Sequence, residues 1–504
     1  MENPITIIGI DSLDPHILLK YRNELPYFSN IMSNSPTLMS KSVFPVDTIP
    51  AWASIYTGLK PENHGLLYVY DIFDPNLSDL KKLDVNRIKG KTFWDYSSKE
   101  GYKSAIIYPM LMYPPWELNG VMISKSPFDK RINWLETEIE IDAFPESAKE
   151  EYKIPNKLQS LWGGFPGEKN LEHWAQIGKE MLETEKNIGM KVFESQKWDL
   201  FYIYYSLLDI IQHRYWRYFD ENDPTYPGKT KLCNVILDYY KIFDNFLGEI
   251  IEKYPDMTLM VISDHGHKIR PVKTLNINEY LMKKGYLKSK SKNQALMNIV
   301  KNNVLKVANK LNIEHWLMKI VVKNSKLTQM SKSVYSSSGS IDKDVSQAYL
   351  SNFAGIKSYS YGGIEINQDL LSDKEYENVI NNLIRDLSKL KTPDKDQNIL
   401  NFVKRREEVC PGKFTETIFP DVVFELKNDY GVGWDLHSNL FGTAYDHKVA
   451  SGGHKKDAVL LINNLNRNID NKTVNLIDIA PTIMDYLGMD WKKFNLDGRS
   501  IFSD

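Results

Sequence analysis

The chain has 504 residues, 42% of them hydrophobic and 25% charged, with a formal charge of −2. That length exceeds the size at which one core stops growing, so a large domain carrying an insertion, or two to three units, is expected. The near-neutral balance gives no case for a protein dedicated to nucleic-acid duplexes or membrane surfaces.

The N-terminus, Met1-Glu2-Asn3-Pro4, runs straight into the apolar stretch Ile5–Ile10. It has no basic segment and no small-residue cleavage site, so no secretory signal is expected. No stretch approaches the ~18 apolar residues of a membrane span. Only Cys233 and Cys410 are present. They cannot build a disulfide framework, though one bridge between them stays open, and a cytoplasmic location is the expectation.

Three runs read as buried parallel strands: Ile5–Ile10 (ITIIGI), Leu200–Tyr205 (LFYIYY) and Thr258–Ser263 (TLMVIS). None alternates polar with apolar, as expected when helices cover both faces of a sheet. Helical patterns cover His173–Glu194 and Leu232–Lys253. Strand alternating with helix argues for an α/β sheet. From 268 to 445 the character changes. Lys288–Lys292 reads as a solvated linker, and Leu296, Val300, Val304, Val307 and Leu311 recur at helical spacing. Lys301, Lys306 and Lys310 would form the outer face of that helix. Ser336–Ser340 reads as an exposed loop, and 364–367 and 422–426 as further strands. The expected organisation is a catalytic core of 1–267 with 446–504, and an inserted cap of 268–445. No internal repeat is found.

Each of the three buried strands leads to a residue of metal-ligand type. The first runs into Asp11, the second reaches Asp209 after Ser-Leu-Leu, and the third ends at Asp264-His265. Ligands bind beyond the carboxyl ends of strands in open α/β sheets, so these distant residues are expected to converge. Each also has a plainer reading. Asp11 suits a helix cap. Asp209 and His213 share the i, i+4 spacing of helical ion pairs. His454, in Ser451-Gly452-Gly453-His454, lies in a Gly-rich turn where a histidine is commonly structural. Imidazoles mixed with carboxylates suit zinc or a similar transition metal, and this set is enough for two ions.

A nucleophile candidate lies in Pro45–Gly58. Thr48 stands where a helix should begin, with Pro50 in its first turn, and so suits an N-cap contributing about 1 kcal/mol. The same position suits attack on phosphorus, because a helix N-terminus offers free N–H groups and a positive dipole end to a phosphate.

In these residues the chain resembles the alkaline phosphatase superfamily, in its type I phosphodiesterase and nucleotide pyrophosphatase branch. It is most similar to the prokaryotic members described only as phosphohydrolases or phosphomutases. The resemblance is carried, in order, by GIDSLDP at 9–15, DTIPAWASIYTGLKPENHG at 47–65 and Asp209-x-x-x-His213. It continues through SDHG at 263–266, LNINEYLMKKGYL at 275–287, YGGIEIN at 361–367 and GGH at 452–454, then DIAPTIMDYLG at 478–488 and DGRSI at 497–501. It implies a three-layer α/β/α sandwich with a mostly parallel central sheet and an inserted cap. It also implies one divalent ion on Asp11, Thr48, Asp264 and His265, and a second on Asp209, His213 and His454. The ions would be zinc, with manganese in some branches. Thr48 would attack phosphorus and form a phosphothreonine.

The sequence departs from the pattern in places. Ala51 stands where nucleotide pyrophosphatases carry a phosphoryl-binding Asn, which puts nucleotide specificity in doubt. His267 extends the DHG motif and is read chiefly as a turn cap, with a position facing the substrate as the alternative. Thr48-Ile49-Pro50-Ala51-Trp52 lacks the nucleophile and Arg of sulfatases. Lys404–Arg406 and Lys455-Lys456 are read as solvated surface.

The leading expectation is hydrolysis of a phosphodiester or pyrophosphate bond in a small phosphorylated substrate, a nucleotide or another diester. The alternatives are a phosphomonoesterase or phosphomutase, in which the cap would exclude water, and a non-catalytic metal-binding interaction protein. Because ligands must be deprotonated, activity is expected to fall below about pH 6 and to be lost with chelator.

Overall fold

The computed structural model describes residues 4–67, 85–133, 135–162, 166–290, 304, 307, 341–354, 358–394, 396–427, 430–444, 446–469 and 473–502. The chain divides into two compact units, Met1–Leu66 with Asp84–Ile269 and His454–Asp504, and Leu67–Leu83 with Arg270–Gly453. The return to the first unit therefore comes at His454, later than the expected 446.

The first unit is built on a ten-stranded sheet. Its strands in chain order are β1 (Ile5–Ile10), β2 (Met39–Lys41), β3 (Ser104–Ile107), β4 (Gly120–Arg131), β5 (Thr137–Phe144), β6 (Lys157–Ser160), β7 (Leu200–Tyr205), β8 (Thr258–Ile262), β9 (Asp457–Asn463) and β10 (Val474–Asn475). Their spatial order is β10-β2-β9-β8-β1-β7-β3-β4-β5-β6. The central five, β8-β1-β7-β3-β4, run parallel. β9 lies antiparallel to β8, and β5 and β6 extend the other side antiparallel.

Strands β1, β7 and β8 are buried along their whole length, which explains their unbroken apolar runs. Successive side chains on a strand face opposite sides. On β7, Tyr202 and Tyr204 meet Tyr56 and Trp52 of the helix Thr48–Thr57. Tyr205 meets Phe243 and Phe246 of the helix Val235–Lys253. These two helices thus cover opposite faces and make the three layers of an alkaline phosphatase-like sandwich. Gly9 permits one close approach: a Cβ there would lie 2.8 Å from the Trp52 ring. A continuous core joins Ile8, Ile10, Trp174, Ile203, Tyr205, Phe243, Val261 and Leu461, each burial contributing roughly 1.5–3 kcal/mol.

Some element boundaries differ from expectation. The first long helix spans Leu171–Ser195. The second splits into a 3₁₀ turn, Lys231–Asn234, and the helix Val235–Lys253. β8 stops at Ile262, which leaves Ser263 outside the strand. Both cysteines are free, closing the question of a bridge.

The second unit has its own core. An antiparallel sheet orders Ala348–Leu350, Tyr361–Ile366, Val422–Leu426 and Leu400–Arg405. The helix Asp373–Leu387 is capped by Ser372 and Glu375 and buries Val379, Ile380, Leu383 and Leu387. Arg405 pairs with Glu377, and Arg406 pairs with Glu407 and the buried Asp421, so two members of that basic run are tied into the unit's own ion pairs. The helix expected over 296–311 and the loop at 336–340 lie outside the described residues, apart from Val304 and Val307, which are helical and exposed. Among the described residues no helix is long and apolar enough to cross a membrane.

Candidate active site

The site belongs to the first unit and forms where β1, β7 and β8 end. β1 delivers Asp11, which is buried; its Oδ2 accepts from Tyr204 Oη at 2.5 Å and from Trp52 Nε1 at 3.3 Å. Beyond β8, Asp264 and His265 are fully buried. Asp264 Oδ1 accepts the Ser12 N–H at 3.0 Å, and His265 Nε2 lies 3.1 Å from Asp264 Oδ2 and 3.8 Å from Asp11 Oδ1. After β7, the helix Leu207–Phe219 places Asp209 and His213 one turn apart, with His213 Nε2 3.4 Å from Asp209 Oδ2.

His454 lies on the strand Gly452–Lys455, not in the expected turn. Its Nε2 is 3.0 Å from His213 Nε2 and 3.4 Å from Asp209 Oδ1. Asp11, Asp264 and His265 form one group, and Asp209, His213 and His454 a second. Within each, the candidate ligand atoms lie within 4.8 Å of one another. The rings of His265 and His454 stack at 3.7 Å, so the groups adjoin.

Thr48 opens the helix Thr48–Thr57, but it is the first helical residue and not the N-cap. Asp47 holds the cap position in an extended conformation. The turn therefore starts one residue earlier than the cap reading supposed. Thr48 Oγ1 lies 3.2 Å from His265 Nε2. All seven residues singled out from the sequence meet in one region.

Charge decides the protonation of the metal-free cluster. Burial pushes the Asp11 carboxyl well up, reinforced by Asp264 and Asp209. Burial alone would lower His265, yet the carboxylates of Asp264, Asp11 and Asp209 outweigh it and raise the imidazole to about 10. Burial would raise Asp209, but His213 and His454 hold it well below the usual carboxylate range. His454 is lowered to about 4, by burial and then by His265.

The residues fit divalent cations. Three buried carboxylate oxygens, Asp11 Oδ1, Asp209 Oδ1 and Asp264 Oδ2, make no well-formed hydrogen bond, which is costly unless a positive group sits among them. Two imidazole nitrogens facing each other at 3.0 Å likewise suit a shared electrophile. A donor set of carboxylates and imidazoles suits a divalent transition-metal ion.

His267 does more than cap a turn. Its ring is buried against Trp216 and His213. Its Nδ1 lies 2.7 Å from Ser12 Oγ and 3.7 Å from Asp209 Oδ1, and its N–H donates to Asp14 Oδ2. It therefore belongs to the site. Lys455, read as solvated, pairs with the buried Asp14 at 2.6 Å. Ser12 and Asp14 carry a signal only as members of the GIDSLDP run at 9–15.

Fold and site together define a phosphoric ester hydrolase with an alkaline phosphatase-like fold. The chain belongs to the type I phosphodiesterase / nucleotide pyrophosphatase family, whose sequence profile matches residues 5–453. Among solved structures it is similar to the phosphonoacetate hydrolase from Sinorhizobium meliloti 1021 in complex with phosphonoformate. The TM-score is 0.52 at 14% identity, covering 97% of this chain and 96% of that one. Likeness at that identity speaks to the fold. No curated protein matches the chain.

Proposed function

We propose that the protein hydrolyses a phosphodiester or pyrophosphate bond of a small phosphorylated substrate through a phosphothreonine on Thr48. The supporting observation is the placement of Thr48 Oγ1 3.2 Å from His265 Nε2, at the edge of two adjoining carboxylate–imidazole groups. Asp11, Thr48, Asp264 and His265 would hold one divalent ion, and Asp209, His213 and His454 a second. Zinc fits this donor set best, with manganese the alternative. Such ions, when bound, supply the positive charge that favours an ionised hydroxyl and neutralises oxygens around phosphorus.

The chain's own residues do the rest. Thr48 Oγ1 forms a bond to phosphorus as the bond to the leaving oxygen breaks, and water later cleaves the Thr48–phosphorus ester. Pro50 has no N–H, and the Ala51 N–H already donates to Asp47 O at 3.2 Å. The amides of Thr48 and Ile49 are then the helix donors available to a phosphoryl oxygen, in place of the side chain that Ala51 lacks. Tyr204 and Trp52 orient Asp11 through its Oδ2, leaving Oδ1 free to ligate. The inserted region, 268–445, would act as the substrate-selecting cap of a cytoplasmic enzyme.

The test is Thr48→Ala. Turnover of bis(p-nitrophenyl) phosphate is expected to fall at least about a thousandfold, while metal content measured by mass spectrometry stays unchanged. Full turnover in the variant would discard the nucleophile. Profiling monoesters, diesters and phosphonates with the native enzyme then separates diesterase from monoesterase or mutase action.

A further inference from the structure

Between the two carboxylate–imidazole groups lies a residue that neither contains. Ser12 has φ 62°, a left-handed conformation that L side chains rarely adopt and that glycine fills without strain. It is fully buried, and each of its polar groups is engaged. Its N–H donates to Asp264 Oδ1 at 3.0 Å, in the first group. Its carbonyl accepts from Gln212 Nε2 at 2.8 Å, on the helix that carries Asp209 and His213. Its hydroxyl lies 2.7 Å from His267 Nδ1.

The tautomer of His267 follows from what its other nitrogen lacks. Nε2 is buried with no hydrogen-bond partner. A buried N–H without an acceptor is rarer and costlier than a bare lone pair. Nδ1 therefore carries the proton and donates to Ser12 Oγ. The same nitrogen lies 3.7 Å from Asp209 Oδ1, beyond a hydrogen bond but close enough for its N–H dipole to act on that carboxylate. The ring packs against those of Trp216 and His213, which restrict its movement.

We infer that Ser12 and His267 are a pair of positioning residues that fix Asp209 and tie the two metal groups to one another, and that a serine occupies the strained position 12 for its hydroxyl. A glycine would keep both backbone bonds and remove the strain, so only the side-chain bond to His267 explains a serine there. Partners of this kind orient ligand side chains, and their loss commonly weakens metal binding 10–100-fold. The inference rests on the metal-site reading above.

The test compares Ser12→Gly, Ser12→Ala and His267→Phe, with Zn²⁺ and bis(p-nitrophenyl) phosphate as probes. Metal-free Ser12→Gly is expected to melt at the native temperature or a few degrees above it, because strain is relieved. The second equivalent of Zn²⁺ is expected to bind about tenfold more weakly in all three variants, and kcat to fall about tenfold with KM within twofold. Ser12→Ala combined with His267→Phe should lose no more than His267→Phe alone, as expected of a pair acting through one bond. A Ser12→Gly enzyme with native Zn²⁺ affinity and kcat overturns the inference. So does one whose metal-free form melts lower in step with its losses, or a double variant whose losses multiply. If the native protein takes up no Zn²⁺, the functional reading falls and this inference with it. If the native protein behaves as proposed and the variants match it, only the inference falls.

Discussion

His265 is hemmed in by Asp264, Asp11 and Asp209, and that neighbourhood sets when the site can receive a cation. In the metal-free protein its imidazole keeps its proton up to about pH 10. The raised value means that a cation must displace a proton at any neutral pH, so protons compete with loading and lose ground as pH rises. We expect loading at pH 7.5 to release at least one proton per protein, seen as a buffer-dependent heat in titration calorimetry. Apparent affinity should climb about tenfold per pH unit between pH 6 and 9. A pH-independent affinity would contradict the protonated state. His267 shows the opposite balance: burial, then the neighbouring His213, keep it neutral. Two histidines two positions apart in SDHGH thus sit in opposite charge states. Asp264, beside His265 in those five letters, is the first carboxylate to raise it, but Asp11, Asp209 and His213, which also set the two states, lie outside them.

At the scale of elements, the site depends on how closely the helix Thr48–Thr57 lies against β1. That helix is buried at every residue. Trp52 packs over Gly9 and holds Asp11 through its indole N–H. A methyl at position 9 would meet the Trp52 ring at 2.8 Å and Tyr202 Oη at 3.0 Å. Gly9→Ala should therefore cost about 1–3 kcal/mol in urea unfolding and also weaken cation binding at the group proposed to include Asp11. A variant that loses stability but keeps native metal affinity would show that Trp52 does not transmit the shift. The same elements show what could be read from the sequence. β1, β7 and β8 were plain because both faces are covered and nothing interrupts the apolar run. β4 and β5 escaped notice. β5 (TEIEIDAF) alternates charged and apolar residues near the side of the sheet, and β4 carries Lys125, Asp129 and Lys130 within its span. β2, of three residues with two exposed, offers no pattern at all. Asp11, Asp264 and His265 are legible because they follow apolar strands, Thr48 because it opens a helix, Asp209 and His213 by their i, i+4 spacing and His454 by its GGH run, whereas Tyr204 is hidden inside LFYIYY, where it looks like any other core aromatic.

At the scale of the whole molecule, the two units have separate cores, and the seven site residues belong to the first unit alone. Cations held by those residues would bind the native first unit and not its unfolded chain, and so would stabilise it by mass action. Differential scanning calorimetry with and without chelator should show a transition that moves down by several degrees on metal removal and a second that stays in place. A single transition that shifts as a whole would mean that the units melt as one cooperative body.

The position of β9 bears on how the protein is made. Its residues, Asp457–Asn463, lie between β2 and β8, yet they leave the ribosome only after the whole of Arg270–Gly453 has been synthesised. Until then β8 presents an unpaired backbone edge, and the cluster lacks His454. A nascent chain stalled within the insertion would carry an open strand template of the kind that recruits chaperones or neighbouring chains. Cation uptake at the second group would then have to wait for the inserted segment, since its last ligand arrives just ahead of the strand that pairs with β8.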